Sequence, residues 1–248
     1  MQIKVCGMRE PDNIKAVAAL DIDMIGMIFY PKSKRYVSMI SSDAGIIPDY
    51  SADRLKAMEK ECAQTAYHRS DTHLASLQPQ DRNRPKRVGV FVDDMPQNIV
   101  TRVYNYQLDY VQLHGNESPV MIDNLKRTLV PDIAPHIGVI KAFAISSEAD
   151  FAQCQAYEGV ADLFLFDTQC DTKGGSGRHF DWSLLKAYQG HTPFLLSGGI
   201  GPDDADDILG IQHPMMAGID LNSRFETAPA VKDVALLSSF ITKIRQAH

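Results

Sequence analysis

The sequence predicts an α/β protein folded as a single (β/α)8 TIM barrel with a long insertion between strands 2 and 3. Eight short apolar runs recur along the 248 residues, and helix-like segments separate them. Runs that are apolar on both faces are typical of parallel strands covered on each side by helices. Six of the seven intervals between strand ends measure 22 to 30 residues, close to one β/α unit. An open doubly wound sheet usually has fewer strands, and no linker divides the chain, so we expect one domain over 1–248.

The predicted strands span 3–6, 24–29, 88–92, 110–114, 139–143, 163–166, 194–197 and 216–220. Proline opens four of the intervening segments, in the first helical turn, where its missing N–H costs nothing: Pro11, Pro96, Pro119 and Pro202. Ser51 can cap a helix over 51–66. Apolar residues from Val234 to Ile244 give the last helix a buried side. Each strand is therefore expected to have a helix after it.

The interval from Phe29 to Val92 is the exception, at 63 residues. After the predicted helix 51–66 it contains a polar stretch over 67–87, which we interpret as an insertion. Solvent exposure alone produces polar composition, so a solvated excursion is favoured over a dedicated binding lid.

Composition limits the kinds of partner. The chain has 25 Lys+Arg against 31 Asp+Glu, a net charge of -6, which disfavours nucleic-acid binding and leaves room for a local site for a small anion. The four cysteines are scattered without a C-x-x-C pair, so neither a zinc framework nor a disulfide scaffold is indicated. No apolar run reaches membrane-spanning length. We expect a cytoplasmic protein with no membrane partner and no obligate protein partner.

Catalytic groups of such barrels gather at the carboxyl ends of the strands. The candidates are the polar or glycine residues at those ends, together with Arg35 in the long loop after strand 2: Cys6, Asp93, Gln112, His114, Lys141, Asp167, Gly198, Gly199 and Asp220. A free cysteine is most often a small buried hydrophobe, but Cys6 stands at a catalytic strand end. Asp167 follows an unbroken apolar run, where a carboxylate is costly unless it faces a polar cavity. Arg35 lies in a basic run that is either a solvated face or an anion clamp.

Three glycine-rich or polar loops point to a phosphorylated small-molecule substrate. The loop after strand 6 contains Gly175, and a plain flexible loop is an equal alternative there. The Gly198-Gly199 pair and the segment from Asp220 to Glu226 follow strands 7 and 8, the two loops that commonly form a phosphate cradle. His114 lacks metal-ligand spacing and is more often a structural histidine, so no metal is expected.

Several motifs in order resemble the phosphoribosylanthranilate isomerase family. They are IKVCGMR at 3–9, FYPKSKRYV at 29–37, VGVFV at 88–92, VQLHG at 111–115, GGSG at 174–177 followed by FDW, and SGG at 197–199. The resemblance implies a (β/α)8 barrel that carries out an Amadori rearrangement of N-(5-phosphoribosyl)anthranilate without a cofactor. It runs from the first strand to the last helix. The chain departs from the family pattern in its insertion and at Ser223-Arg224, where the family commonly has serine followed by glycine.

The resemblance also implies site roles. Cys6 corresponds to the family's general base and Asp167 to its general acid, while Arg35 holds the anthranilate carboxylate. Four residues after strands 7 and 8 correspond to those that bind the phosphate: Gly198, Gly199, Asn222 and Ser223. Asp220 lies near the ribose or the amine. A thiol acts as a base only as the thiolate, so the pKa of Cys6 is predicted to be depressed.

Two other functions are compatible with a barrel of this kind. The histidine-pathway aminoaldose isomerase carries out the same rearrangement in a similar barrel but uses two aspartates, and Cys6 disfavours it. A sugar-phosphate-binding barrel without turnover needs neither an acid nor a base, so the presence of both Cys6 and Asp167 disfavours it too.

Overall fold

Eight parallel strands close into a barrel in which each strand pairs with the next along the chain and the eighth pairs with the first. The computed structural model describes residues 1–38, 84–167 and 182–246. The strands are β1 (Gln2–Val5), β2 (Met24–Ile28), β3 (Lys86–Phe91), β4 (Tyr110–Leu113), β5 (Gly138–Ala144), β6 (Leu163–Asp167), β7 (Phe194–Ser197) and β8 (Met216–Leu221). The predicted barrel is confirmed, with every strand end within two residues of its predicted position.

Five α-helices lie in the described part of the chain: α1 (Pro11–Ala18), α2 (Pro96–Tyr106), α3 (Pro119–Leu129), α4 (Ala205–Gly210) and α5 (Val234–Gln246). Pro11, Pro96 and Pro119 each occupy the first helical position, as predicted. Pro202 does not, because 202–204 form a turn and α4 begins only at Ala205. After β5 and β6 the chain forms 3-10 helices, Glu148–Tyr157 and Trp182–Ala187, in place of α-helices.

The segment between β2 and β3 is described only at its two ends. The predicted helix 51–66 and most of the predicted insertion lie outside the described residues. Lys86 and Arg87, predicted as its last residues, belong to β3, where they pair with Met24 and Ile25. The insertion therefore ends by residue 85.

A short hairpin after β8 was not predicted. Ser223–Phe225 form one turn of 3-10 helix, and β9 (Glu226–Ala228) then pairs antiparallel with β10 (Val231–Lys232). Asn13 of α1 holds β10 through two hydrogen bonds with the Lys232 backbone, at 2.9 and 2.8 Å. The hairpin is thereby tied to α1.

The alternation of side chains along β6 separates the barrel interior from the helix-covered face. Phe166 packs against Phe151 and Tyr188 of the surrounding helical segments, with ring centroids 5.1 and 5.0 Å apart, so Phe164 and Phe166 face outward. Leu163, Leu165 and Asp167 consequently face the interior. Leu163 and Leu165 are buried there with apolar residues of β2, β3, β5 and β7, so the barrel is a filled core with Asp167 at its carboxyl end.

Candidate active site

Cys6 lies directly after β1, where its N–H donates to Leu221 O of β8 at 2.9 Å. The residue is 3% exposed. Gly26 of β2 makes room for it, because a Cβ on Gly26 would lie 2.8 Å from Cys6 Sγ and 3.2 Å from its Cα. Cys6 therefore lies between β8, which accepts its N–H, and β2, where Gly26 leaves space for its side chain.

A buried ion pair lies beneath the thiol. Lys4, two residues before Cys6 and on the same face of the chain, is fully buried, and its Nζ lies 2.8 Å from Asp220 Oδ1 of β8. Burial lowers the pKa of Lys4, but Asp220 and Cys6 together more than offset this and the net shift is upward. The other oxygen of Asp220 accepts a hydrogen bond from Ser197 Oγ at 3.3 Å. Asp220 is thus tied to β1 and β7 at once.

The predicted depression of the Cys6 pKa is wrong for this structure. Removal of the thiol from water disfavours the thiolate and raises the pKa of Cys6 above its ordinary value. Lys4 lowers it, Asp220 raises it, and Lys232 lowers it again. Burial outweighs the two lysines, so Cys6 rests as the neutral thiol.

Asp167 closes β6 and is separated from β1 by two strands, β7 and β8, so it stands across the barrel mouth from Cys6. His114 Nε2 lies 3.4 Å from Asp167 Oδ2. His114 Nδ1 lies 3.2 Å from Gln112 Nε2, an amide donor, so a neutral ring would carry its proton on Nε2, toward Asp167. Gln112 Oε1 is buried and has no hydrogen-bond partner among the described residues.

The loop after β2 meets the loop after β8 at Gly7. Gly7 has a positive φ of 77°, and a Cβ there would lie 2.6 Å from Arg35 Cδ and 2.7 Å from Asn222 Oδ1. Both requirements favour glycine at this position. Arg35 and Asn222 therefore both approach the residue that follows the thiol.

Arg35 forms an ion pair with Glu226 of β9. Its Nε donates to Glu226 Oε1 at 2.8 Å and its Nη2 to Oε2 at 2.6 Å. Glu226 Oε1 also accepts from Lys232 Nζ at 2.6 Å, and Lys232 reaches Asn222 Oδ1 at 2.8 Å. Burial raises the pKa of Glu226, but Arg35 and Lys232 outweigh it and the net shift is downward. Burial lowers the pKa of Lys232.

The proposed phosphate loops lie at the same end of the barrel. Gly198 and Gly199 after β7 both have positive φ, 95° and 68°, and a Cβ on Gly199 would meet nothing within 4 Å. Ser223 begins the 3-10 turn after β8, and Arg224 lies over Gly201, with Nε 3.3 Å from the position of a Cβ there. Gly175 lies outside the described residues.

Two other strand-end candidates belong to a separate network. Lys141 is buried and donates to Gly115 O at 2.6 Å and to Glu117 Oε2 at 3.3 Å. The same glutamate accepts from the backbone N–H groups of Asp93 and Gly115. These contacts fix the loops after β3 and β4, a structural role. The described residues contain no cluster of three or more His, Cys, Asp or Glu suited to a metal ion, and none of their helices is long and apolar enough to span a membrane.

Comparison with known proteins identifies the family of the chain. The family model described as N-(5'phosphoribosyl)anthranilate (PRA) isomerase matches residues 41–243. The N-(5'-phosphoribosyl)anthranilate isomerase of Parabacteroides distasonis is 44% identical, covering 98% of this chain and 93% of its own. The chain belongs to the PRA isomerase family. The enzyme of the same name from Phocaeicola vulgatus is 42% identical, covering 99% and 98%.

A solved structure extends the likeness to the fold. A phosphoribosyl anthranilate isomerase in complex with reduced 1-(o-carboxyphenylamino)-1-deoxyribulose 5-phosphate superposes with a TM-score of 0.66 at 27% identity, covering 99% of both chains. Cys6 and Arg35 precede the residues matched by the family model, whereas Asp167 and the loops after β7 and β8 lie within them. The relatives cover nearly the whole chain, so membership in the PRA isomerase family does not rest on the matched part alone.

Sequence reasoning missed Lys4, Glu226 and Lys232. A signal existed for Lys4, since a lysine inside an apolar strand at two residues from Cys6 must have a partner on the interior face. Glu226 and Lys232 lie in the unpredicted hairpin. Their approach to Arg35 depends on tertiary folding, because 191 residues separate Arg35 from Glu226.

Proposed function

We propose that this PRA isomerase family member converts N-(5-phosphoribosyl)anthranilate to 1-(2-carboxyphenylamino)-1-deoxyribulose 5-phosphate, the isomerase step of tryptophan biosynthesis. The observation that carries the proposal is the placement of Cys6 and Asp167, which stand at the carboxyl ends of β1 and β6 on opposite sides of one barrel mouth. An Amadori rearrangement needs an acid on one side of the sugar and a base on the other.

The proposed acid is Asp167. It delivers a proton to the furanose ring oxygen, the C1–O bond breaks, and the nitrogen lone pair completes a protonated Schiff base at C1. The contact with His114 at 3.4 Å supports this role by orienting the carboxyl group.

The proposed base is Cys6, which removes the C2 proton so that the C2–H electrons form the enolamine double bond. The enolamine then tautomerises to the ketone. The base must be a thiolate, and because burial raises the pKa of Cys6, the ammonium groups of Lys4 and Lys232 are what favour loss of its proton. The two lysines are thus part of the base's environment.

The substrate carries a carboxylate and a phosphate, and the site offers groups for both. We assign the carboxylate to Arg35, and the phosphate to Gly198, Gly199, Asn222 and Ser223, with Gly175 closing from the loop after β6 and Asp220 near the ribose or amine. The bound ligand of the solved relative is the reduced form of the proposed product, which carries the same two anionic groups. We also propose that residues 1–248 form one catalytic domain acting in the cytoplasm on this small molecule, without nucleic acid, membrane or an obligate protein partner.

The test follows the loss of anthranilate-type fluorescence when purified protein is mixed with phosphoribosylanthranilate. Wild type is expected to turn over, and Cys6→Ser and Asp167→Asn are each expected to lose about 10²- to 10⁴-fold in kcat, the range that general acid or base catalysis contributes. No turnover by wild type would refute the activity. Full activity of either variant would refute the role given to that residue.

A further inference from the structure

The Arg35–Glu226 contact uses one particular edge of the guanidinium. Glu226 takes Nε at 2.8 Å and Nη2 at 2.6 Å, so it lies against the side edge. Guanidinium has a second fork, made by Nη1 and the other hydrogen of Nη2, which also matches a carboxylate. No described residue accepts a hydrogen bond from Nη1 in this structure. Two carboxylates can therefore bind Arg35 at once, one on each edge.

Glu226 is held more firmly than Arg35. Its side chain is 4% exposed, against 21% for Arg35. Glu226 Oε1 accepts from Lys232 Nζ at 2.6 Å and from the Ala230 N–H at 3.3 Å, both within its own hairpin. Asn13 ties that hairpin to α1. The anchored carboxylate thus sets the position of the more exposed guanidinium.

Charge decides whether Glu226 helps or hinders an incoming anion. By itself it would neutralise Arg35 and weaken attraction for a substrate carboxylate. Lys232, buried and 2.6 Å from Glu226, supplies a second positive charge to the same cluster. Two cations then face one carboxylate, and a site for one further anion is left.

We propose that Glu226 is a positioning residue for substrate binding: it holds Arg35 by the Nε/Nη2 edge so that the Nη1/Nη2 edge receives the substrate carboxylate, while Lys232 keeps the cluster cationic. The proposal rests on the function assigned above, since it takes Arg35 as the carboxylate-binding residue. It adds that the hairpin after β8 is a part of the anthranilate subsite.

The test compares Glu226→Gln with wild type in KM, kcat and inhibition by two probes, anthranilate and inorganic phosphate. Glu226→Gln is expected to raise KM and the anthranilate inhibition constant by about tenfold, the worth of one charge-assisted hydrogen bond, with kcat and phosphate inhibition changed less than about twofold. Asp123→Asn is the matched control, because Asp123 accepts from Arg127 Nε at 2.8 Å in an exposed pair on α3. It is expected to change none of these values.

The same substitution in an Arg35→Lys background shows whether Glu226 acts through Arg35. Lysine has no fork to orient, so the effect of Glu226→Gln on KM is expected to fall below about twofold there. A lowered KM in Glu226→Gln would overturn the proposal, since it would mean that Glu226 competes with the substrate. Equal weakening of both inhibitors, or equal effects in both backgrounds, would overturn it as well.

A second variant covers a failure of Glu226→Gln to fold. Glu226→Asp keeps the charge but is one methylene too short to contact both Nε and Nη2 while paired with Lys232, and it is expected to weaken anthranilate inhibition while sparing phosphate. Unchanged anthranilate inhibition would count against the proposal. If wild type turns over no substrate, the proposed activity fails, and the dissociation constant of anthranilate, measured directly through its fluorescence in wild type and Glu226→Gln, still decides the role of Glu226.

Discussion

Replacement of Lys4 by methionine tests the buried ion pair on which the site is built. Lys4 is fully buried, and among the described residues its ammonium group donates to one side-chain oxygen, Asp220 Oδ1 at 2.8 Å. Methionine fills most of the same volume without the charge, so the main effect is to leave the Asp220 carboxylate buried without its cation. Breaking a buried pair in this way typically costs about 3–5 kcal/mol.

The proton that Asp220 would bind gives a loss of stability of the same size. A buried carboxylate that loses its cation escapes the penalty by binding a proton. For an aspartate with an ordinary unfolded pKa of ~3.9, this costs about 1.4 kcal/mol per pH unit, or about 4 kcal/mol at pH 7. The hydrogen bond from Ser197 Oγ at 3.3 Å is present in both proteins, so it cancels in the comparison. We therefore expect Lys4→Met to lower the free energy of unfolding by about 3–4 kcal/mol at pH 7.

The pH dependence is the sharper part of this prediction. In the wild type the raised pKa of Lys4 means that its contribution to stability is complete below about pH 10 and is lost only as the pH rises through the folded value. In Lys4→Met the folded state binds the extra proton, so the deficit relative to wild type is expected to shrink by about 2–3 kcal/mol between pH 7 and pH 5.

Urea unfolding followed through the fluorescence of Trp182, the single tryptophan, measures both quantities. The double variant Lys4→Met/Asp220→Asn removes both charges and is expected to regain most of the lost stability. A loss below about 1 kcal/mol at pH 7, a deficit that does not change with pH, or a double variant no more stable than Lys4→Met would refute the reasoning.

Three further predictions concern the thiol and the proposed phosphate site. Because burial raises the pKa of Cys6, iodoacetamide should alkylate Cys6 more slowly at pH 7 than it alkylates a cysteine in a short peptide. Peptide mass spectrometry measures both rates, and faster alkylation of Cys6 would contradict the raised pKa. Gly26→Ala would place a Cβ 2.8 Å from Cys6 Sγ and should lower kcat about tenfold or more, because the thiol would have to move. Gly210→Ala is the control and should leave kcat unchanged, since a Cβ there meets nothing within 4 Å. Equal kcat values for the two variants would show that the position of the thiol does not matter. Arg224→Ala should weaken inhibition by inorganic phosphate about threefold or more at low salt, and no change in that inhibition constant would place Arg224 outside the phosphate site.

The barrel could be predicted because its physical requirements are written into short stretches of sequence. Strands buried on both faces need continuous apolar runs, and 163–166 is one such run that ends at the carboxylate of Asp167. The hairpin could not be predicted in this way. Its strands, Glu226–Ala228 and Val231–Lys232, are three and two residues long, too short to show any alternation of polar and apolar residues.

The candidate site was predictable in its positions but not in its pairings. Strand ends locate Cys6, Asp167 and Asp220 because a barrel gathers them at one mouth. The partner of each charge is settled only when β8 closes on β1, which brings Lys4 to Asp220 across 216 residues of sequence. The predicted fall in the Cys6 pKa was wrong for the same reason, since a sequence shows neighbouring charges more readily than it shows complete removal from water.

The resting thiol explains why a cysteine suits this position better than a second aspartate. An ionised carboxylate at residue 6 would place a permanent negative charge beside the buried Lys4–Asp220 pair, where it would compete with Asp220 for the Lys4 ammonium group. A neutral thiol adds no charge until turnover, and the Lys4–Asp220 pair stays intact at 2.8 Å. When the thiol loses its proton, Lys4 and Lys232 both favour the thiolate. The burial that raises the pKa of Cys6 therefore also keeps the ion pair beneath it undisturbed between turnovers.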